Sequence, residues 1–86
     1  MKVVFMGTPE FSVSALEEVA KAFEVVAVYT QPDKPFGRGL EMRPSPVKAC
    51  ALKLGLPVFT PEKISTLDEV ERLRSFKPDV CVVVAY

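Results

Sequence analysis

Short apolar runs alternate with amphipathic stretches along the whole chain. Residues 3–6 and 25–29 are unbroken apolar runs without alternation, a pattern typical of parallel strands that are covered on both faces. Between the two runs, apolar side chains recur at helical spacing. The members of this stripe are Phe11, Ala15, Leu16, Val19, Ala20 and Phe23. The pattern therefore predicts a strand, a helix and a second strand.

Capping residues and helix-stopping residues predict where the helices begin and end. Thr8 lies just before the first amphipathic stretch and is a suitable N-cap. The pair Ser45 and Pro46 predicts the start of a second helix, which Gly55 would end. A third helix is predicted over residues 66–76, because its first residues have capping-box spacing.

The remaining apolar runs predict two more strands. Residues 56–59 form a short third strand, and Pro57 favours an edge position for it. Residues 80–86 form the fourth and most apolar strand. Repeated strand-helix units predict an α/β fold with a Rossmann-like parallel sheet, strand order 3-2-1-4 and three helices.

An open apolar edge on the fourth strand is unusual in natural proteins. We therefore expect residues 1–86 to be the first half of a larger domain, with no second domain in this chain. The same edge makes self-association through the fourth strand an alternative.

Proline and glycine dominate the segment that follows the second strand. They occur at Pro32, Pro35, Gly37, Gly39, Pro44 and Pro46, so the segment is predicted to be a long loop without helix or strand. Residues 33–48 contain four basic and two acidic side chains. Glycines on both sides of Arg38 free the backbone to press its guanidinium against a phosphate. A merely solvated loop remains the alternative reading.

The turn after the first strand argues against dinucleotide binding. Only Gly7 stands where such folds carry three glycines, Pro9 lacks an N–H, and Glu10 would repel a pyrophosphate. The turn could instead line a crevice, with Phe11 as an aromatic wall, or be a plain connection. Acidic side chains on the helices are interpreted as solvating charge, and they are Glu17, Glu18, Asp68, Glu69 and Glu71.

The amino-acid composition further limits the classes of protein and of binding site to which the chain can belong. Eleven basic and eleven acidic residues exclude a polybasic nucleic-acid protein and an acidic tail. The chain has no histidine, and Cys50 and Cys81 are interpreted as reduced, buried residues, so no metal site is predicted. No segment approaches the length of a membrane span, and we expect a cytoplasmic protein.

Five stretches together resemble the N-terminal part of the methionyl-tRNA formyltransferase family, namely residues 4–11, 29–35, 37–39, 44–48 and 82–86. The resemblance implies transfer of a formyl group from 10-formyltetrahydrofolate to the amino group of methionine on initiator tRNA. It also implies that an Asn, a His and an Asp carry out the catalysis, and that they follow the fourth strand. No catalytic residue is therefore assigned, and the 86 residues alone are expected to be inactive.

The resemblance also implies roles for individual residues at the rim. Those implied to bind tRNA are Lys34, Gly37, Arg38, Gly39 and Arg43, with Arg38 as the main contact. Those implied to lie beside the acceptor end and methionine are Gly7, Thr8 and Phe11, and Tyr86 is placed near the folate pocket.

The chain departs from the family pattern at one place. Leu40 and Glu41 stand where many members carry two lysines, and Arg43 compensates for part of that charge. Because phosphate affinity grows with the number of neutralised charges, tight binding through this loop alone is less expected. A non-catalytic module that binds RNA or folate is the alternative function.

Overall fold

The computed structural model describes residues 1–39 and 41–86, so Leu40 and its part of the family departure lie outside the described residues. The strands are β1 (Lys2–Gly7), β2 (Glu24–Tyr29), β3 (Lys34–Phe36), β4 (Glu41–Arg43), β5 (Val58–Phe59) and β6 (Val80–Val84). The helices are α1 (Phe11–Ala22), α2 (Pro46–Lys53) and α3 (Leu67–Ser75). None of these helices is long and apolar enough to cross a membrane.

Four parallel strands form the main sheet in the order β5-β2-β1-β6. Since the predicted third and fourth strands are β5 and β6, the predicted order 3-2-1-4 is confirmed. At the centre, Phe5 of β1 pairs with Val28 on one side and with Val82 on the other. The strand that follows Pro57 lies at the sheet edge, as the proline indicated. The fold is Rossmann-like α/β with three helices.

The prediction that the proline-rich segment contains no strand is wrong. β3 and β4 form an antiparallel hairpin in which Lys34 pairs with Arg43 and Pro35 with Met42. A two-stranded ribbon has two edges, so Pro35 can lie in it without leaving a ladder position unfilled. Gly37 has a φ of +72°, which glycine adopts without strain, and it begins the reversal between the strands.

The core lies on both faces of the main sheet. On one face, α1 and α2 cover a buried apolar cluster of Phe5, Leu16, Val25, Val28, Val47 and Ala51. On the other face, the buried residues are Val4, Met6, Ala27 and Tyr29. The side chains packed on this second cluster include Phe59, Leu73, Phe76 and Tyr86.

Several local predictions need correction. Thr8 does not cap α1, because the helix begins at Phe11, two residues later than a Thr8 cap would give, and Glu10 occupies the N-cap without a side-chain hydrogen bond. Cys81, on the edge strand β6, is exposed rather than buried, and Cys50 is only partly buried. Glu69 is not a solvated carboxylate, since its side chain is only 13% exposed beside Arg72. Ser45 does cap α2, and Pro46 follows it as predicted.

Candidate functional site

A cavity of about 210 Å³ opens at the carboxyl end of the sheet. It lies between the first turn, defined as residues 7–10, and the hairpin segment, defined as residues 30–45. Its lining consists of Thr8, Pro9, Gln31, Pro32, Lys34, Pro35, Arg43, Pro44, Ser45 and Pro46. Half of these residues are prolines, and Lys34 and Arg43 add positive charge. Such a cavity suits a ligand with a flat apolar part and an anionic group.

The first turn is fixed by close packing. A Cβ atom on Gly7 would lie 2.9 Å from the Val84 carbonyl oxygen and 3.0 Å from the Phe5 ring. The buried Ser12 donates a hydrogen bond from Oγ to the same Val84 oxygen at 2.8 Å. Glycine is therefore required because β1 and the start of α1 approach the end of β6 too closely for a side chain.

Hydroxyl groups join the two ends of the hairpin segment. Thr30 Oγ1 and Ser45 Oγ are hydrogen-bonded at 2.6 Å, and the Thr30 side chain is fully buried. Ser45 Oγ also accepts a hydrogen bond from the backbone N–H of Lys48 at 3.0 Å. The N-cap of α2 is thereby attached to the residue that follows β2.

An ion pair adds a second link at the base of the hairpin segment. Lys48 Nζ lies 2.8 Å from Asp33 Oδ1, and the two side chains are 25% and 31% exposed. Lys48 is one of the four basic residues counted in segment 33–48 from the sequence, and the sequence alone does not indicate its partner. Because the two residues are fifteen positions apart, no helical or strand periodicity relates them.

Gln31 connects the hairpin segment to the other two elements of the site. Its backbone N–H donates to Thr8 Oγ1 at 3.4 Å, and its side-chain Nε2 donates to the Tyr86 carbonyl oxygen at 3.1 Å. Thr8 thus contributes to the site as an acceptor for Gln31. The first turn, the hairpin segment and Tyr86, all proposed from sequence, lie together at one edge of the sheet.

The predicted tRNA-binding residues lie on one hairpin. Lys34 and Arg43 face each other across β3 and β4, and Gly37, Arg38 and Gly39 form the exposed turn between the strands. Within the described residues, Lys34 and Arg38 form no ion pair. Arg43 lies 3.9 Å from Glu41, and both side chains are largely exposed, so this pair is weak.

Phe11 is separated from the cavity. Its side chain is 67% exposed at the start of α1, and it is not among the residues that line the cavity. Its assignment to the acceptor end and methionine stays a prediction.

Two buried polar atoms lie in the part of the core against which Tyr86 packs. Tyr29 Oη and Glu69 Oε2 are buried and have no hydrogen-bond partner within the described part of the chain. Burial raises the pKa of Tyr29, and the Glu69 charge raises it further. Burial and Glu69 likewise raise the pKa of Tyr86. Both phenols are therefore protonated at neutral pH.

The described residues contain no group of three or more His, Cys, Asp or Glu side chains arranged to hold a metal ion. They offer cationic side chains, an apolar cavity and neutral hydroxyls. What this arrangement can do chemically is bind and orient an anionic ligand.

Comparison with known proteins identifies relatives along the full chain. The family model described as formyl transferase matches residues 1–86. A methionyl-tRNA formyltransferase of Stenotrophomonas maltophilia (strain K279a) is 54% identical over 86 residues, which are 100% of this chain and 28% of that protein. One from Listeria innocua is 53% identical over 85 residues, 99% of this chain and 27% of that protein. The chain thus spans less than a third of the length of the curated relatives it matches.

Proposed function

This chain belongs to the formyl transferase family, and from that membership we propose that it forms the N-terminal half of a formyltransferase domain. The enzyme would transfer a formyl group to the amino group of methionine on initiator tRNA. The observation that carries the proposal is an identity of 52–54% to methionyl-tRNA formyltransferases across essentially the whole chain. The proposed donor is 10-formyltetrahydrofolate, and the proposed location is the cytoplasm.

These 86 residues are proposed to supply binding surfaces and not the catalytic groups. The chain has no histidine, whereas the resemblance assigns the proton transfer to an Asn, a His and an Asp. We therefore expect no formyl transfer by the 86 residues alone.

The hairpin is proposed to contact the tRNA acceptor stem. Arg38 is exposed at the tip between two glycines, and Lys34 lies on the adjoining strand. A guanidinium on such a turn can approach phosphate oxygens closely and form paired hydrogen bonds. Arg43, opposite Lys34, adds positive charge on the cavity side.

The cavity is proposed to receive the acceptor end of the tRNA. Proline rings give flat apolar walls, and Lys34 and Arg43 can balance a phosphate. Gly7 keeps the first turn close to β6, Thr8 lines the cavity, and Phe11 stands exposed beside the turn. Tyr86, whose hydroxyl is protonated, is proposed to lie next to the folate pocket.

A chimeric enzyme tests this proposal. The matching segment of the Stenotrophomonas maltophilia relative is replaced by these 86 residues, and formylation of initiator methionyl-tRNA is measured. We expect activity to be retained, because the relative supplies its own remaining residues. Arg38→Ala in the chimera should raise the KM for tRNA about tenfold, which corresponds to one lost charge-assisted contact.

Lys21→Ala is the matched control, because it also removes one exposed positive charge but lies in the last turn of α1, which leads into the amino end of β2, opposite the cavity. It should leave the KM unchanged. A folded chimera without formyl transfer would contradict the proposal. If that chimera still bound tRNA in a salt-dependent way, the alternative of a non-catalytic RNA-binding module would replace it.

The edge of β6 supports a second proposal, on partners. β6 is an edge strand, and Val83 is 61% exposed on it. Unpaired apolar strand edges recruit further strands. We propose that the isolated chain self-associates through this edge. Sedimentation at increasing concentration tests this, and a strictly monomeric profile would contradict it.

A further inference from the structure

Two cross-links close the hairpin segment with equal spacing. The side chains of Thr30 and Ser45 are hydrogen-bonded to each other. Asp33 lies three residues after Thr30 and Lys48 three residues after Ser45, and these two form an ion pair. The Asp33–Lys48 distance of 2.8 Å is shorter than every other ion pair among the described residues, which span 3.5–3.9 Å. One link closes the segment, and a second link at this spacing also fixes the direction in which the hairpin leaves the sheet.

We propose that Asp33 and Lys48 are positioning residues that orient the hairpin, and that Lys48 is not a phosphate contact. The part of this proposal that concerns RNA rests on the function proposed above. The part that concerns hairpin order does not depend on it.

The position of Lys48 in α2 supports this role. Lys48 lies in the first turn of the helix, which contains no acidic residue. A cation there faces the positive end of the helix dipole, so the helix alone does not favour it. Asp33 supplies the missing negative charge from the hairpin segment. The ion pair therefore connects the helix start to the hairpin.

The charges around Lys48 support the second part of the proposal, that Lys48 does not contact a phosphate. The Lys48 ammonium is engaged by Asp33 at 2.8 Å with both side chains mostly buried, so the pair presents no net charge to a ligand. Lys34 and Arg38 form no ion pair within the described ranges. A phosphate that approaches the hairpin therefore meets Lys34, Arg38 and Arg43, whereas the charge of Lys48 is already balanced by Asp33.

Hydrogen exchange of the free 86-residue chain tests the positioning role without any ligand. In Lys48→Met and in Asp33→Asn, the amides of β3 and β4 should exchange about tenfold faster, because the hairpin opens more often. The double variant should exchange no faster than either single variant, since both remove the same link. Lys48→Arg should retain wild-type exchange, because it keeps the ion pair. Unchanged exchange in both Lys48→Met and Asp33→Asn would overturn the proposal.

Binding to an RNA duplex with a single-stranded 3′ end, measured over a range of salt concentrations, separates positioning from phosphate contact. Lys48→Met should weaken binding at each salt concentration but leave the slope of log affinity against log salt unchanged. Arg38→Ala should reduce that slope by about 0.9, because one fewer phosphate is neutralised.

A reduced slope in Lys48→Met, equal to that of Arg38→Ala, would overturn the proposal by making Lys48 a direct contact. This binding is measured with the chimera described above, and if the unmodified chimera shows no affinity for this RNA, the RNA-binding function proposed above is contradicted. The hydrogen-exchange result still decides whether Asp33 and Lys48 orient the hairpin.

Discussion

The first turn and the hairpin segment leave adjacent strands of one sheet and line the same cavity, yet different interactions fix them. The first turn is short, and the close approach of Gly7 to the Val84 carbonyl leaves no room for a side chain. The hairpin segment spans residues 30–45 and is fixed at its base by two polar links, Thr30 to Ser45 and Asp33 to Lys48. Its turn residues are exposed.

This difference predicts how the two sides of the cavity, the first turn and the hairpin segment, respond to substitution. A packed turn cannot absorb an added atom without moving the strands around it, because protein interiors are close-packed. A segment closed by polar links can lose one link and keep its backbone path, at lower stability. The first turn is therefore the rigid side of the cavity, and the hairpin segment is the side that tolerates substitution.

The largest expected effect on stability comes from adding a side chain to the closely packed first turn. Gly7→Ala should lower the free energy of unfolding by about 3 kcal/mol, because the new Cβ meets a backbone oxygen, which cannot move away as a flexible side chain could. Urea denaturation measures this. Gly39→Ala is the control, since no atom lies within 4 Å of its added Cβ, and it should change stability by less than about 0.5 kcal/mol. An equal loss in the free energy of unfolding at the two positions would contradict this distinction between the first turn and the hairpin segment.

A middle-sized effect should follow from breaking the hydroxyl link of the hairpin segment. Ser45→Ala removes the N-cap of α2 and leaves the buried Thr30 hydroxyl without its partner. We expect a loss of about 1.5 kcal/mol in the free energy of unfolding. Thr66→Ala on α3 is the matched cap variant. Its hydrogen bond is exposed and 3.4 Å long, so it should cost less than about 1 kcal/mol. A larger loss at Thr66 would contradict the importance of the Thr30 link.

Local signals in the sequence were sufficient for the framework of the site. Apolar runs predicted the four strands of the sheet, and the repeated strand-helix units predicted their order. Ser45 with Pro46 predicted the start of α2, and Gly55, at a φ of +73°, ends that helix region as expected. These features depend on residues that are close in sequence, so the chain itself carries the information.

The contacts that fix the site were not predictable in this way. Thr8 and Gln31 are 23 positions apart, and Gln31 and Tyr86 are 55 apart. No periodic pattern links such pairs, because the sheet brings them together only after folding. The hairpin was missed for a different reason. Its prolines and glycines indicate a break in regular structure and do not show that two short strands can pair beside them. The roles of the rim residues came from the family resemblance and not from periodicity.

The smallest expected effect compares two neighbouring residues at the start of the hairpin segment. Thr30 and Tyr29 are both fully buried, but the Thr30 hydroxyl is bonded to Ser45, whereas Tyr29 Oη has no partner within the described residues. Burying an unpartnered hydroxyl is unfavourable. Tyr29→Phe should therefore raise the free energy of unfolding at pH 8 by up to about 1 kcal/mol. Destabilisation by Tyr29→Phe would show that the hydroxyl does have a partner.

Alkaline pH sharpens this last comparison. Burial, and then the Glu69 charge, raise the pKa of folded Tyr29 above its ordinary value of 10.0. The folded state therefore retains the phenolic proton more strongly than the unfolded state does. The resulting stability is fully present below pH 10 and is lost as the pH rises through the folded pKa. Urea denaturation of Tyr29→Phe should show a smaller alkaline loss than the wild type. The loss should not vanish, because the pKa of Tyr86 is raised as well and that hydroxyl remains. An unchanged alkaline loss would mean that Tyr29 has the same pKa in the folded and unfolded states, so that its burial beside the hairpin segment does not raise that pKa.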